Sequence, residues 1–169
     1  MIQHAHMSRR GLIRVAFFGA LAASALLTTP SFAFEEASNS EINTDAAGLA
    51  IRGYDPVAYF ASSTPTLGKA DLNAKHKGAT YHFANAANRD SFVAAPDTYL
   101  PQYGGFCALG TAKGRKFDGD PKLWRVEGGK LYLNVSPDAQ TFWLKDIPGN
   151  IKDATENWPQ IKNKAPNTL

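Results

Sequence analysis

The chain has 169 residues, of which 18 are Lys or Arg and 15 are Asp or Glu, so its formal net charge is +3. Three of the basic residues, Arg9, Arg10 and Arg14, lie in the first 33 residues, which contain no acidic residue. Residues 34–169 are therefore neutral overall and give no reason to expect nucleic-acid binding. Cys107 is the only cysteine, which excludes an intramolecular disulfide and a zinc site made of cysteines alone.

The N-terminal segment has the features of an export signal. Ser8, Arg9 and Arg10 are followed by apolar residues and a base, and they resemble a twin-arginine motif. The uncharged stretch 15–27 suits the apolar region of a signal peptide. It is shorter than the ~20 residues that a membrane-spanning helix needs. These features predict export rather than membrane anchoring.

Residues 1–33 are predicted to form the whole signal peptide. Ser31 and Ala33 supply small side chains at positions −3 and −1 of a cleavage site, so we expect cleavage after Ala33. We expect the remaining chain to be periplasmic and free of the membrane once the signal is removed. A retained N-terminal anchor is the alternative, and Met7 is an alternative start.

The first half of the remaining chain predicts short elements separated by loops. Asp55-Pro56 is a cap followed by proline, which favours a helical turn. Asn85 is a second candidate cap, and Pro96 is expected to end the helix that Asn85 begins. In chain order the predicted elements are a flexible leader (34–47), a strand (49–54), a helical turn (55–60), a loop (62–76), a strand (79–83) and a helix (85–94).

The clearest local structure is a hairpin over residues 123–135. A turn at Gly128-Gly129 would place Glu127 opposite Lys130, and opposite charges then face each other. In this register Arg125 and Tyr132 share one face of the hairpin. The other face carries the apolar side chains Trp124, Val126, Leu131, Leu133 and Val135.

Two helices are predicted after the hairpin. Ser136 and Pro137 are typical of a helix start, and Trp143 lies on the apolar face of the helix that follows. A second short helix follows Gly149, and residues 160–169 are expected to be a loose tail. The elements together predict a small single-domain α+β fold over residues 48–159, with a short antiparallel sheet and C-terminal helices packed on it.

Six motifs follow one another between residues 48 and 159. They are 53–60 (GYDPVAYF), 81–83 (YHF), 101–108 (PQYGGFCA), 129–134 (GKLYLN), 143–149 (WLKDIPG) and 157–159 (NWP). This ordered set resembles the signature of exported YHS-domain proteins. YHS modules also occur attached to heavy-metal transport ATPases and to some multicomponent monooxygenases. The resemblance therefore implies a role related to metals or to copper.

The sequence departs from the metal-associated YHS modules at three positions. Those modules resemble Asp-Pro-Val-Cys-Gly-Met at the first motif and Tyr-Tyr-Phe-Cys-x-x-x-Cys at the second. Here Ala58 stands at the first cysteine position, and Ala84 and Asn88 stand at the other two. The metal site of those modules cannot be carried over to this chain.

Cys107 and His82 are the candidate metal ligands that remain, with His76 as a weaker one. A cysteine and histidine pair suits copper or another thiophilic metal. Cys107 is also consistent with a structural role as a small buried side chain, because free cysteine is among the most buried residue types. His82 also fits a structural histidine under the sheet, and His76 lies between two lysines in a segment predicted to be a solvated loop.

Three functions of different class are consistent with these residues. The first is a periplasmic protein that binds a thiophilic metal through Cys107 and His82. Its expected partner is the metal ion or a metal-handling or redox protein, and a second copy of the chain in a homodimer could supply the missing ligands. The second is a single-cysteine redox protein, in which His82 would hold Cys107 as a thiolate. The third is a non-catalytic interaction or assembly module with a buried Cys107. No recognisable catalytic constellation nominates an enzyme.

Overall fold

A computed structural model describes Met1 and residues 34–169, so the predicted signal residues Arg9, Arg10 and Ala33 lie outside the described residues. The strands are β1 (Lys69–His76), β2 (Ala79–Phe83), β3 (Asp120–Glu127) and β4 (Lys130–Asn134). The helices are α1 (Ala58–Ala61), α2 (Ala86–Ala94), α3 (Pro96–Tyr99), α4 (Ala108–Ala112), α5 (Pro137–Lys145) and α6 (Ile147–Ile161). None of the described helices combines the length and apolar character needed to cross a membrane. The predicted small α+β fold is confirmed.

Each sheet is an antiparallel pair of consecutive strands closed by a two-residue turn. Lys77 and Gly78 join β1 to β2, and Gly128 and Gly129 join β3 to β4. All four turn residues have positive φ. Two consecutive left-handed residues are typical of a type I′ turn, whose twist matches that of the flanking strands. The chain therefore turns back as tightly as a hairpin allows at both places.

Strand β4 lies at the centre of the protein and is buried on both faces. It pairs with β3 in the predicted register, with Trp124 opposite Leu133. Leu131 and Leu133 belong to one apolar cluster, which also contains the aromatic residues of β2. Tyr132 belongs to a second cluster with Trp143 of α5. The C-terminal helices thus cover the side of the hairpin that the first cluster leaves open.

The segment predicted as a strand over residues 49–54 contains a 3-10 turn instead, at Ile51–Gly53. The φ angles of Ile51 and Arg52 are 52° and 49°, which a β-branched residue such as isoleucine rarely adopts. Ile51 is buried in the first cluster, and the guanidinium of Arg52 pairs with Asp118. Contacts that are distant in sequence therefore hold a backbone conformation that local propensity opposes.

The loop predicted for residues 62–76 is also wrong, because Lys69–His76 forms strand β1. Residues 69–75 do alternate polar and apolar side chains, but most side chains of β1 are exposed, and alanine, aspartate and asparagine are depleted in strands. Its place is set by pairing with β2 across the Lys77-Gly78 turn.

The leader and the tail, predicted to be flexible or loose, both pack on the domain. Asn43 is 8% exposed, and its Nδ2 donates to Asp118 Oδ1 over 2.8 Å. At the other end of the chain, Ile161 is buried and the backbone N–H of Asn167 donates to the carbonyl of Glu36. Hydrogen bonds hold these segments together with a few buried apolar side chains such as Ile161 and Ala165, so their low overall hydrophobicity misled the prediction.

Candidate functional site

The carboxylate of Asp55 is fully buried and joins three parts of the chain. Its Oδ1 accepts hydrogen bonds from the backbone N–H groups of Val57 at 2.8 Å and Ala58 at 3.3 Å. Its Oδ2 accepts from the backbone N–H of Ala84 at 2.9 Å and from Nδ2 of Asn88 at 2.6 Å. One carboxylate therefore caps α1 and also fixes the end of β2 and the start of α2.

Ala58, Ala84 and Asn88, which the resemblance to metal-associated YHS modules sets against cysteines, meet around this carboxylate. Ala58 and Ala84 have no ligand atom in their side chains and give their backbone N–H groups to Asp55. Asn88 turns its amide nitrogen toward the same carboxylate, and this nitrogen is a donor that has no lone pair to offer a metal. These three positions therefore belong to a hydrogen-bonded structural cluster and offer no cysteine ligand.

Cys107 lies at the N-cap of α4 and is 1% exposed. Its Sγ accepts a hydrogen bond from the backbone N–H of Gly110 at 3.4 Å and donates to Asn134 Oδ1 at 3.6 Å. Its backbone N–H donates to the carbonyl of Phe117 at 2.9 Å. The thiol therefore caps the helix in the way that a serine hydroxyl would, because it satisfies one of the free N–H groups of the first turn.

Burial raises the pKa of the Cys107 thiol, although backbone N–H groups led by that of Gly110 oppose the shift. The thiol consequently stays protonated at neutral pH, and a protonated thiol is a poor nucleophile. We expect iodoacetamide to modify Cys107 at least about 100 times more slowly in the folded protein than in urea, since the reaction requires local opening. Mass spectrometry over time measures both rates. A folded-state rate close to that in urea would contradict the burial of this thiol.

His82 lies in β2, opposite Asn73 of β1, and is half-buried. Its neighbours Tyr81 and Phe83 are buried in the first cluster, so the imidazole points to the opposite face, as predicted. The ring lies against the 3-10 turn, where a Cβ added to Gly53 would come within 3.4 Å of its Nδ1. No hydrogen bond joins the ring to another described residue.

His76 lies at the end of β1 rather than in a solvated loop, which corrects the prediction. Its Nε2 is 3.5 Å from Asp97 Oδ1, and its ring packs edge-on against Phe92. Lys77 donates to the same carboxylate oxygen at 2.6 Å. That hydrogen bond holds the pKa of the exposed Asp97 below its usual range. His76 is thus held by packing against Phe92, and its Nε2 lies near Asp97 without a hydrogen bond to any described residue.

The three predicted ligands have separate surroundings. Cys107 contacts α4 and the end of β4, His82 contacts the turn before α1, and His76 contacts Asp97. No hydrogen bond among residues 34–169 joins any two of them. In the same part of the chain, no group of three or more His, Cys, Asp or Glu side chains is arranged to hold a metal ion. Among the described residues, neither Cys107 nor His82 therefore belongs to a set of three such side chains.

An apolar groove of about 130 Å³ opens beside Cys107. The residues that line it are Cys107, Leu109, Gly110, Lys113, Phe117, Val135 and Ala139. Phe117 is 47% exposed and Val135 is 41% exposed. The sequence predicts Val135 on the buried face of the hairpin, but β4 ends at Asn134, so Val135 lies beyond the paired residues.

Asn134 is the main residue of this region that sequence reasoning missed. It is 0% exposed, and its Oδ1 also accepts from the backbone N–H of Leu109 at 3.3 Å. Asparagine is common in the turns that follow strands, so the residue type alone does not indicate a buried structural role. Its role depends on the parallel pairing of Cys107 with Leu133, which no local pattern predicts.

Comparisons of the chain with family models, with curated proteins and with solved structures find no match in any of the three. The resemblance to exported YHS-domain proteins therefore rests on the sequence motifs and stays a prediction. The geometry around Cys107 and the groove beside it are the observations that bear most directly on function.

Proposed function

We propose that this protein is an exported, non-catalytic interaction module in which Cys107 is a structural residue. The observation that carries the proposal is the position of the thiol, which is 1% exposed and hydrogen-bonded to both Gly110 and Asn134. A thiol that caps a helix and satisfies a buried amide oxygen already has a role in the fold. That role requires neither a metal ion nor a substrate.

The surface next to Cys107 supports binding to another protein. Phe117 and Val135 are exposed at the groove, and Phe142 of α5 is 59% exposed. Exposed large apolar side chains that lie together are typical of sites where proteins associate. A redox role is less well supported, since it needs a thiolate and burial raises the pKa of Cys107.

Elemental analysis tests this proposal against the metal site predicted from the sequence. The full chain is expressed with its own N-terminal segment, and the accumulated protein is purified beside its Cys107→Ser and His82→Ala variants. We expect less than about one tenth of a metal ion per chain in all three proteins, because a tight site needs several fixed ligands. Near-stoichiometric copper that both substitutions remove would overturn the proposal and would place Cys107 and His82 in one site.

A further inference from the structure

We propose that the groove beside Cys107 is the docking site for a segment of a partner protein that presents a large apolar side chain flanked by acidic residues. This inference rests on the proposed function, since it names the binding surface and the chemistry of the partner.

The shape of the groove favours an inserted side chain over contact with a flat surface. Gly110 lines the groove, and a Cβ added there would come within 2.7 Å of Cδ2 of Phe117. The absence of a side chain at Gly110 therefore lets the Phe117 ring stand as a wall. Val135 and Ala139 form walls as well, and the groove is concave enough to take one apolar side chain.

The apolar surface continues from the groove along α5. Ala139 lines the groove, and Phe142 lies three residues further along the same helix face. Phe142 is 59% exposed, which leaves most of its ring in water. A partner segment that inserts one side chain into the groove can therefore place another apolar residue on Phe142. This spacing suits an amphipathic helix, whose apolar residues recur at three- and four-residue intervals.

The charges around the groove are mainly basic. Lys113 lines the groove, Arg115 is exposed, and Nζ of Lys145 lies 4.3 Å from the centre of the Phe142 ring. None of these three forms an ion pair with another described residue. The exposed Asp138 of α5 is an acidic side chain close by in sequence.

Asp118 does not offset this basic charge, although it follows Phe117 in the chain. Its carboxylate turns away from the groove to Arg52 and Asn43. Lys113, Arg115 and Lys145 outnumber the neighbouring Asp138, so charge complementarity favours an acidic partner, which would also be attracted to the groove before contact.

Two synthetic peptides of about 14 residues serve as probes for this chemistry. Both carry leucine at helical spacing; the acidic peptide has glutamate at the other positions and the basic peptide has lysine there. Fluorescence anisotropy measures the binding of each labelled peptide to the protein expressed from the full chain. We expect the acidic peptide to bind with a Kd of about 10–100 μM and the basic peptide to bind at least about tenfold more weakly.

Substitutions locate the binding. Phe117→Ser and Val135→Asp should each weaken binding of the acidic peptide at least about tenfold, and Lys113→Glu should reduce its dependence on salt. Val93→Asp is the matched control, because Val93 is 62% exposed on α2 and is not a lining residue of the groove. Its affinity for the peptide should equal that of the unchanged protein. Thermal unfolding of each variant verifies that the fold is retained.

Failure of this inference can be told apart from failure of the proposed function. The groove assignment is overturned if the acidic peptide does not bind, if both peptides bind equally, or if the groove variants bind as tightly as Val93→Asp. Binding to vesicles of anionic phospholipid in preference to the acidic peptide would also overturn it. Each of these results leaves the interaction module in place, whereas metal lost from Cys107→Ser and His82→Ala overturns the function itself.

Discussion

Replacing Asp55 with alanine is expected to lower the free energy of unfolding by about 3–5 kcal/mol. The substitution removes a buried carboxylate that accepts hydrogen bonds from Val57, Ala58, Ala84 and Asn88. Losing a helix cap costs about 1 kcal/mol by itself, and each buried donor left without an acceptor adds about 1–3 kcal/mol unless water reaches it. A domain of this size has a total stability of about 5–15 kcal/mol, so the variant should lose a large share of it.

Urea unfolding followed by tryptophan fluorescence measures this loss, with Trp143 buried in the folded protein as a reporter. Asp55→Asn should lower the free energy of unfolding less than Asp55→Ala, because the amide keeps one oxygen as an acceptor. It should still destabilise the protein, since its NH₂ group would face donors that Asp55 Oδ1 or Oδ2 accepts from. Asp90→Ala is the matched control, since the Asp90 side chain is 67% exposed and pairs only with the neighbouring Arg89 among the described residues. A loss at Asp55→Ala no greater than at Asp90→Ala would contradict the role assigned to the carboxylate.

Sequence reasoning identified only half of the function of Asp55. The Asp-Pro pair correctly predicts a cap at the start of α1, because capping depends on residues two and three positions away. The bonds to Ala84 and Asn88 join residues 29 and 33 positions apart, and no local pattern encodes them. The same limit explains the 3-10 turn at Ile51, whose backbone is set by burial and by the pairing of Arg52 with Asp118.

The hairpin of β3 and β4 was predictable because several local signals agree on one register. The Gly128-Gly129 turn, the charges of Glu127 and Lys130 and the alternation of apolar residues all specify the same pairing. Strand β1 offers weaker signals, because its residues alternate but most of its side chains are exposed and several of its residue types are depleted in strands. The fold class and the hairpin therefore followed from the sequence, whereas β1 was predicted as a loop.

The candidate site was only partly predictable for a different reason. The sequence singles out Cys107 because it is the only cysteine, but exposure depends on how the segment before α4 packs on β4. The exposed walls of the groove, Phe117 and Val135, lie beside elements rather than within them. Apolar residues in such positions carry no periodicity, so a surface made from them becomes visible only in three dimensions.

Lys116 ties both ends of the described chain to the domain. The residue is 2% exposed, and its Nζ donates to the carbonyls of Ser40, Lys162 and Lys164 at 2.8–3.1 Å. The ammonium also lies 4.4 Å from the centre of the Phe106 ring. Its three N–H groups thus find three acceptors, and the leader and the tail meet at this one side chain.

Burial lowers the pKa of Lys116 from 10.5 to about 8, although Glu41 opposes the shift. Between these two values the unfolded chain binds more protons than the folded one, so the contribution of Lys116 to stability rises with pH. Below pH 8 both states are protonated, and the folded protein carries the full desolvation penalty of the charge. From pH 7.5 to 9.5 the linkage amounts to about 2 kcal/mol in favour of the folded state.

Lys116→Met should therefore become more destabilising, relative to the unchanged protein, by about 2 kcal/mol between pH 7.5 and 9.5. Urea unfolding of both proteins at several pH values measures this difference in the free energy of unfolding. The titrations of Cys107 and the tyrosines cancel in the difference, because both proteins contain these residues. Lys122→Met is the matched control for the loss of a lysine from the surface, since Lys122 is exposed on β3. If the destabilisation caused by Lys116→Met does not change with pH, the three carbonyls stabilise the ammonium as well as water does. Burial would then have no net effect on its titration.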